Sequence, residues 1–221
     1  MMKQIKTNME VFPMKVLLVN GSPRAKGCTY TALTEVAKTL EEQGIETEIF
    51  QLGNGPIRDC IACGACGKLD HQCVFSDDPV NELIRKAQEA DGFVFGTPVY
   101  YAHPSGRILS ALDRAFFAGS SCFAQKPAFA LSSARRAGTT ASFDVLNKYF
   151  TINQMPVVSA TYWNNVHGSC AEDVQKDEEG LQVLRNGARN LAWLLRCIQL
   201  GKENGINPPE AERGARTNFI R

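Results

Sequence analysis

Residues 15–30 read K-V-L-L-V-N-G-S-P-R-A-K-G-C-T-Y, and no other stretch of this 221-residue chain constrains the fold as tightly. The apolar run 16–19 has the length and β-branched content of a buried strand. It stops at Asn20-Gly21-Ser22-Pro23, four residues that punctuate regular structure, and a helical pattern opens after Gly27. Strand, tight polar loop and helix in that order make an anion site. Free N–H groups at the helix start point outward and the helix dipole adds partial positive charge. Ser22, Thr29 and Tyr30 can add hydroxyls, and Arg24 and Lys26 can add charge. A phosphate is expected here, and the remaining chain must say whose.

The length suits one α/β domain, and 44% apolar with 21% charged residues allows a sizeable core. A formal net charge of +1, with both signs interspersed, indicates neither a nucleic-acid surface nor an anionic-membrane surface. No apolar run approaches the ~20 residues that span a bilayer. Residues 1–13 lack the apolar core of a signal peptide. The expectation is a cytoplasmic protein with an N-terminal extension over 1–14, one domain over 15–201 and a tail over 202–221. Eight cysteines then need a reason, because a reducing compartment disfavours disulfides. Four of them, Cys60, Cys63, Cys66 and Cys73, crowd into 60–73, a pattern of metal or redox chemistry.

Along the chain, a helix is expected over 29–43, stopped by Gly44, and a half-exposed strand over 45–52. The segment 53–78 is too rich in Gly, Cys and Asp for a regular element, and a loop of that length inside a domain is usually functional. A helix follows over 79–90, with Asp77 or Asp78 as its cap. Gly92-Phe93-Val94-Phe95-Gly96 reads as a third, central strand ending in the loop Thr97-Pro98-Val99-Tyr100-Tyr101. A helix over 109–118, a fourth strand over 127–132, a polar loop over 132–140 and a helix over 140–149 come next. A fifth strand is expected over 156–159 and one long helix over 172–200. Five strands alternating with helices imply a doubly wound parallel sheet, whose ligands sit at the carboxyl ends of its strands.

Two phosphate ligands are excluded by pattern. A nucleoside triphosphate needs G-x-x-x-x-G-K-[ST], but Cys28 stands where the lysine should follow Gly27. A dinucleotide needs G-x-G-x-x-G and an acid at the end of the second strand, which here ends Gln51-Leu52-Gly53. A terminal monophosphate fits. The loops at 98–101 and 134–138 offer rings, backbone donors and two arginines, Arg135 and Arg136, suited to a reduced, negatively charged flavin. Flavin mononucleotide joins such a ring to a monophosphate.

The ordered set G-S-P-R-A-K-G-C-T at 21–29, C-I-A-C-G-A-C at 60–66 with Cys73 and Asp77-Asp78, G-T-P-V-Y-Y at 96–101, Leu112-Asp113-Arg114, and S-A-R-R-A-G at 133–138 resembles the NADPH-dependent FMN reductase family. Within it the set is most similar to the iron–sulfur flavoprotein branch. The resemblance spans 15–168. It implies a flavodoxin-like five-stranded sheet, bound FMN, electrons from NAD(P)H or ferredoxin, a small-molecule acceptor such as a quinone, flavin, azo compound or oxygen, and homodimers or homotetramers. Family phosphate contacts carry over to Ser22, Arg24, Cys28, Thr29 and Tyr30. Ring and ribityl contacts carry over to Pro98, Val99, Tyr100 and the loop holding Ser133, Ala134, Arg135, Arg136 and Gly138. Arg107 departs from the lysine that the family often carries.

Cys60-x2-Cys63-x2-Cys66-x6-Cys73 matches the spacing that the iron–sulfur branch uses for a [4Fe–4S] cluster, and four thiolates suit one chemically. Zinc takes four cysteines too, and the loop could also fold without metal. Three readings stand side by side: an NAD(P)H oxidoreductase passing electrons through FMN, a carrier with FMN and a cluster, and a flavin-binding protein without turnover. Cys28 reads as a small filler in preference to a reactive thiol. Tyr162, Trp163 and His167 read as a cover for a flavin or a nicotinamide site, and Trp163 reads equally as a residue packed at a subunit contact. Asp113 and Arg114 read as structural ion-pair residues, and Cys122, Cys170 and Cys197 as packing residues.

Overall fold

The strand β1, Lys15–Asn20, alternates its side chains to two faces, and both faces are buried. Val16 and Leu18 join one core cluster and Leu17 and Val19 the other, so helices must cover the sheet on both sides. The helix α1, Cys28–Glu41, presents Ala32, Leu33, Val36 and Leu40 to the Val16/Leu18 face. Gly44 stops it in a left-handed conformation (φ 74°), with Ile45 N–H donating to Leu40 O at 3.1 Å. The strand β2, Glu46–Gln51, returns in parallel beside β1. The computed structural model describes residues 14–215 and 217, so the extension expected over 1–14 lies, Met14 apart, outside the described residues.

The helix α2, Val80–Glu89, is capped by Asp78, whose Oδ1 accepts from Val80 N–H at 3.1 Å. The strand β3, Gly92–Tyr100, pairs with β1 on one side and with β5, Ala128–Ala134, on the other. The two-residue strand β4, His103–Pro104, folds back antiparallel on the end of β3. The helices α3, Gly106–Phe123, and α4, Thr139–Ile152, follow β4 and β5. The last strand is β6, Asn165–His167, and the chain closes with α5, Ala171–Val174, and α6, Glu178–Glu203. The order is β2-β1-β3-β5-β6, with β4 off the path. This is the flavodoxin-like doubly wound order, whose ligand crevice opens where β1 and β3 send their crossovers to opposite faces. Helices α2, α3 and part of α4 cover the Phe93/Phe95 face, and α1, α5 and α6 cover the Val94/Phe129 face. Among the described residues no helix is long and apolar enough to cross a membrane.

Three sequence expectations change. The loop expected at Thr97–Tyr101 is mostly strand: β3 runs on to Tyr100, because Thr97 and Pro98 still pair with Ser132 and Ser133, and the chain turns at Tyr101 (φ 62°). The strand expected over 156–159 is only a bridge, Val157 to Ala128. The chain then leaves the edge, exposing Tyr162 and Trp163, and re-enters it as β6, while Asn164 donates its side-chain amide to Ala130 O at 3.1 Å and so replaces a ladder bond. The helix expected over 172–200 is two helices. Asp177 interrupts it by capping α6, accepting from Gly180 N–H at 3.0 Å.

Phe95, fully buried between Phe93 and Phe150 with ring centroids at 5.8 and 5.3 Å, anchors the α2/α3/α4 face. Phe95→Ala should cost about 3–5 kcal/mol. Urea unfolding followed by circular dichroism should show this as a lower midpoint at unchanged slope.

Candidate functional site

Strand β1 turns sharply at Gly21. Its N–H donates to Gly96 O at 2.8 Å, and its carbonyl accepts from Ser105 Oγ at 2.8 Å. A Cβ at this position would lie 2.8 Å from both Gly96 O and the Ile108 side chain, so only glycine lets the loop pass so close to β3. Arg24 N–H donates to Ser22 Oγ at 3.1 Å and tightens the next turn. Helix α1 then starts behind Gly27 with no side-chain cap and no acid in its first turn. Its leading N–H groups and positive dipole end are therefore left for an external anion.

The carboxyl ends of β3 and β5 bring the other walls. Buried Thr29 and Ser133 share a hydrogen bond between their hydroxyls at 2.8 Å, tying α1 to β5. Gly138 opens α4 in a left-handed conformation (φ 94°), where a Cβ would meet Val99 Cγ1 at 2.6 Å. Together these elements enclose a cavity of about 220 Å³ lined by Ser22, Arg24, Cys28, Thr29, Pro98, Val99, Tyr100, Ser133, Ala134, Arg135, Gly168 and Ser169. Ten of the residues singled out in the sequence thus meet in one pocket. Tyr30, Arg136 and Gly138 do not line it. Gly138 acts one layer back, against Val99. Gly168 and Ser169 were missed because they close β6, which the sequence pattern placed too early; the small pair after Val166-His167 was the available signal.

Cys28 donates its thiol to Gly168 O at 3.5 Å. Burial pushes its pKa up, outweighing the lowering by its own backbone N–H and by Arg24. This is the environment of a filler and not of a reactive thiolate. Tyr162, Trp163 and His167 stand outside the pocket wall; His167 faces Asp177 at 3.7 Å.

The segment after β2 forms a second enclosure. Cys60, Cys63, Cys66 and Cys73 all line a cavity of about 130 Å³, walled mainly by Ile61, Val74, Phe75, Phe117 and Ala118. Arg114 of α3, 1% exposed, closes it from behind. Its guanidinium donates to Cys73 Sγ at 3.2 Å, Phe75 O at 3.0 Å and Arg58 O at 3.3 Å, and forms a fully buried ion pair with Asp78. Burial alone would lower the Arg114 pKa, but the bonds to Asp78 and Cys73 outweigh it and raise it. Asn81 fixes the Cys73 backbone from the other side, accepting from Cys73 N–H at 2.8 Å and donating to Cys73 O at 3.0 Å. Arg107 pins the start of the loop through Gly55 O at 2.7 Å. Asp113 does not pair with Arg114; it accepts from the Tyr149 hydroxyl at 2.5 Å. The donor set is that of a four-thiolate site, yet among the described residues no three His, Cys, Asp or Glu side chains are gathered closely enough to hold a metal ion. His71 lies outside the wall, near Asp70 and Ser121. Cys122 is buried as expected, whereas Cys170 and Cys197 are exposed and are not core residues.

Residues 14–169 match the sequence profile described as NADPH-dependent FMN reductase. An iron–sulfur flavoprotein of Methanocaldococcus jannaschii is 30% identical, the match covering 84% of this chain and all of that one. An iron–sulfur flavoprotein of Methanosarcina thermophila is also 30% identical, covering 86% and 100%. Among solved structures RosB, holding 8-demethyl-8-formylriboflavin-5′-phosphate, superposes with a TM-score of 0.62 over 94% of each chain at 17% identity, a likeness of fold.

The raised pKa of Cys28 leaves less thiolate than an ordinary thiol has at pH 8. In flavin-free protein, iodoacetamide should therefore alkylate Cys28 more slowly than a free cysteine peptide at that pH, as read by peptide mass mapping.

Proposed function

Because the chain belongs to the NADPH-dependent FMN reductase family and is an FMN-dependent oxidoreductase, we propose that FMN occupies the cavity between the Ser22–Thr29 loop, Pro98–Tyr100 and Arg135. NAD(P)H is then the electron source and a small molecule the acceptor. The observation that carries this reading is the convergence of an uncapped helix start with the ends of β3 and β5 on one pocket. Bound FMN supplies hydride acceptance and electron release. The chain's own residues place it and balance its charge. Ser22, Thr29 and the first N–H groups of α1 hold the phosphate, and Arg24, exposed at the rim, adds charge. Pro98, Val99 and Tyr100 flank the ring. Arg135 offsets the negative charge that arrives on reduction. None of these groups needs to give or take a proton for hydride transfer. The exposed Phe117 and Ile152 on α3 and α4 support the further proposal of a homodimer or homotetramer, and a cytoplasmic location is proposed with it.

Anaerobic addition of NADPH or NADH to the FMN-loaded protein should bleach the flavin absorbance; absence of bleaching with both removes the nicotinamide donor. Arg135→Ala should make the flavin midpoint potential more negative in a spectroelectrochemical titration, because one compensating charge is gone.

A second reading adds a [4Fe–4S] cluster on Cys60, Cys63, Cys66 and Cys73, with ferredoxin as a further electron source. It is favoured by the four cysteines that line one cavity and by the names of two relatives matched over their whole length. As the loop stands its thiols are too dispersed for a metal, so binding would draw the first three toward Cys73, which Arg114 and Asn81 already fix. Protein purified anaerobically should carry about four iron and four sulfide per chain. Arg114→Met should lower that content. Zinc in their place, or neither metal, sinks the cluster reading and leaves the FMN reading untouched.

A further inference from the structure

Gln51 closes β2 directly opposite Asn20, its parallel partner at the end of β1. The two side chains form a bridge under the phosphate loop. Asn20 donates its side-chain amide to Gln51 Oε1 at 2.5 Å, and Gln51 donates its own to Ser22 O at 2.7 Å. Asn20 Oδ1 in turn accepts from Ser22 N–H at 3.0 Å. Asn20 is wholly buried and Gln51 half-buried. Ser22 is thereby gripped at both ends of its backbone, its N–H by Asn20 and its carbonyl by Gln51. Ser22 itself lines the cavity. The bridge does not itself line that cavity, so it acts through Ser22.

We propose that Gln51 is a specificity-determining positioning residue: by holding the Ser22 peptide against Asn20 it pre-forms the loop for a terminal phosphate. The chemistry favours an uncharged amide over the carboxylate that a dinucleotide-binding strand places at its end. A carboxylate could accept from Asn20 but could not donate to the Ser22 carbonyl, and it would bring negative charge under a site built for an anion. Preformed loops spend less binding energy on ordering, so losing the brace should weaken phosphate capture selectively.

This inference rests on the reading of the cavity as the FMN site, and the test separates the two. FMN and riboflavin share the ring and ribityl chain and differ in the phosphate, so their dissociation constants, read by flavin fluorescence quenching on flavin-free protein, isolate the phosphate contribution. Wild-type protein should prefer FMN. Gln51→Met, close in size and unable to bridge, should weaken FMN binding about tenfold, the effect of one well-placed hydrogen bond, and leave riboflavin binding unchanged. Gln51→Glu should weaken FMN at least as much at pH 8. It is also the deciding variant should Gln51→Met fail to fold. Equal loss for both flavins, or no loss for either, overturns the role of Gln51 while leaving the site in place. A wild-type protein with no preference for FMN overturns the site and the inference together.

Discussion

The close approach of Gly21, at the end of β1, to Gly96 of the neighbouring β3 is the contact on which the site depends. The Gly21 N–H bond to Gly96 O continues the ladder one residue beyond the paired strand, and the Ser105 hydroxyl fastens the other side of the same residue. Ser105 is itself held, its N–H donating to Thr97 Oγ1 at 3.1 Å. Three elements distant in sequence thus meet at one glycine without a side chain between them. From that point the loop can rise only toward the crevice, and α1 is delivered with its uncapped end facing it. A methyl group here would push β1 from β3 and misdirect the whole first crossover.

The electrostatics of the two enclosures differ, and the difference follows from how each is built. The crevice at the strand ends draws its positive character from backbone N–H groups and from exposed Arg24 and Arg135, so its charge is uncommitted within the chain. The cysteine enclosure has a fully buried guanidinium already committed to Asp78. A buried pair of this kind is costly to break, because either partner alone is an uncompensated charge.

Much of this was legible in the chain because the signals were local. The run at 16–19, the breakers at 20–23, the stop at Gly44 and the apolar Phe93–Phe95 segment each carry their own periodicity or punctuation. The end of β3 was not legible, since Pro98 argues for a loop until a neighbour is known, and it is β5 that keeps the strand extended to Ser133. The sheet edge was misplaced for a similar reason. Pro156 to Val158 does touch Ala128, but the longer pairing lies at Asn165–His167, a tripeptide with the single apolar residue Val166, too short to carry a period of its own. Missing that strand meant missing Gly168 and Ser169. The partners of Asp113 and Arg114 were also unreadable. They are adjacent in sequence, yet a helix aims neighbours about 100° apart, and each found its counterpart on a different element.

Asp78 has a double attachment. One carboxylate oxygen caps α2 at Val80 while the other meets Arg114 on α3. Asn81, in the first turn of α2, holds the Cys73 backbone at the same time. The cysteine loop, the start of α2 and the middle of α3 therefore share one rigid joint, with no slack between them. A pull on Cys73 would therefore bear on α2 through Asn81 and on α3 through Arg114. Mechanically the segment is a strut between the cysteine loop and the two helices.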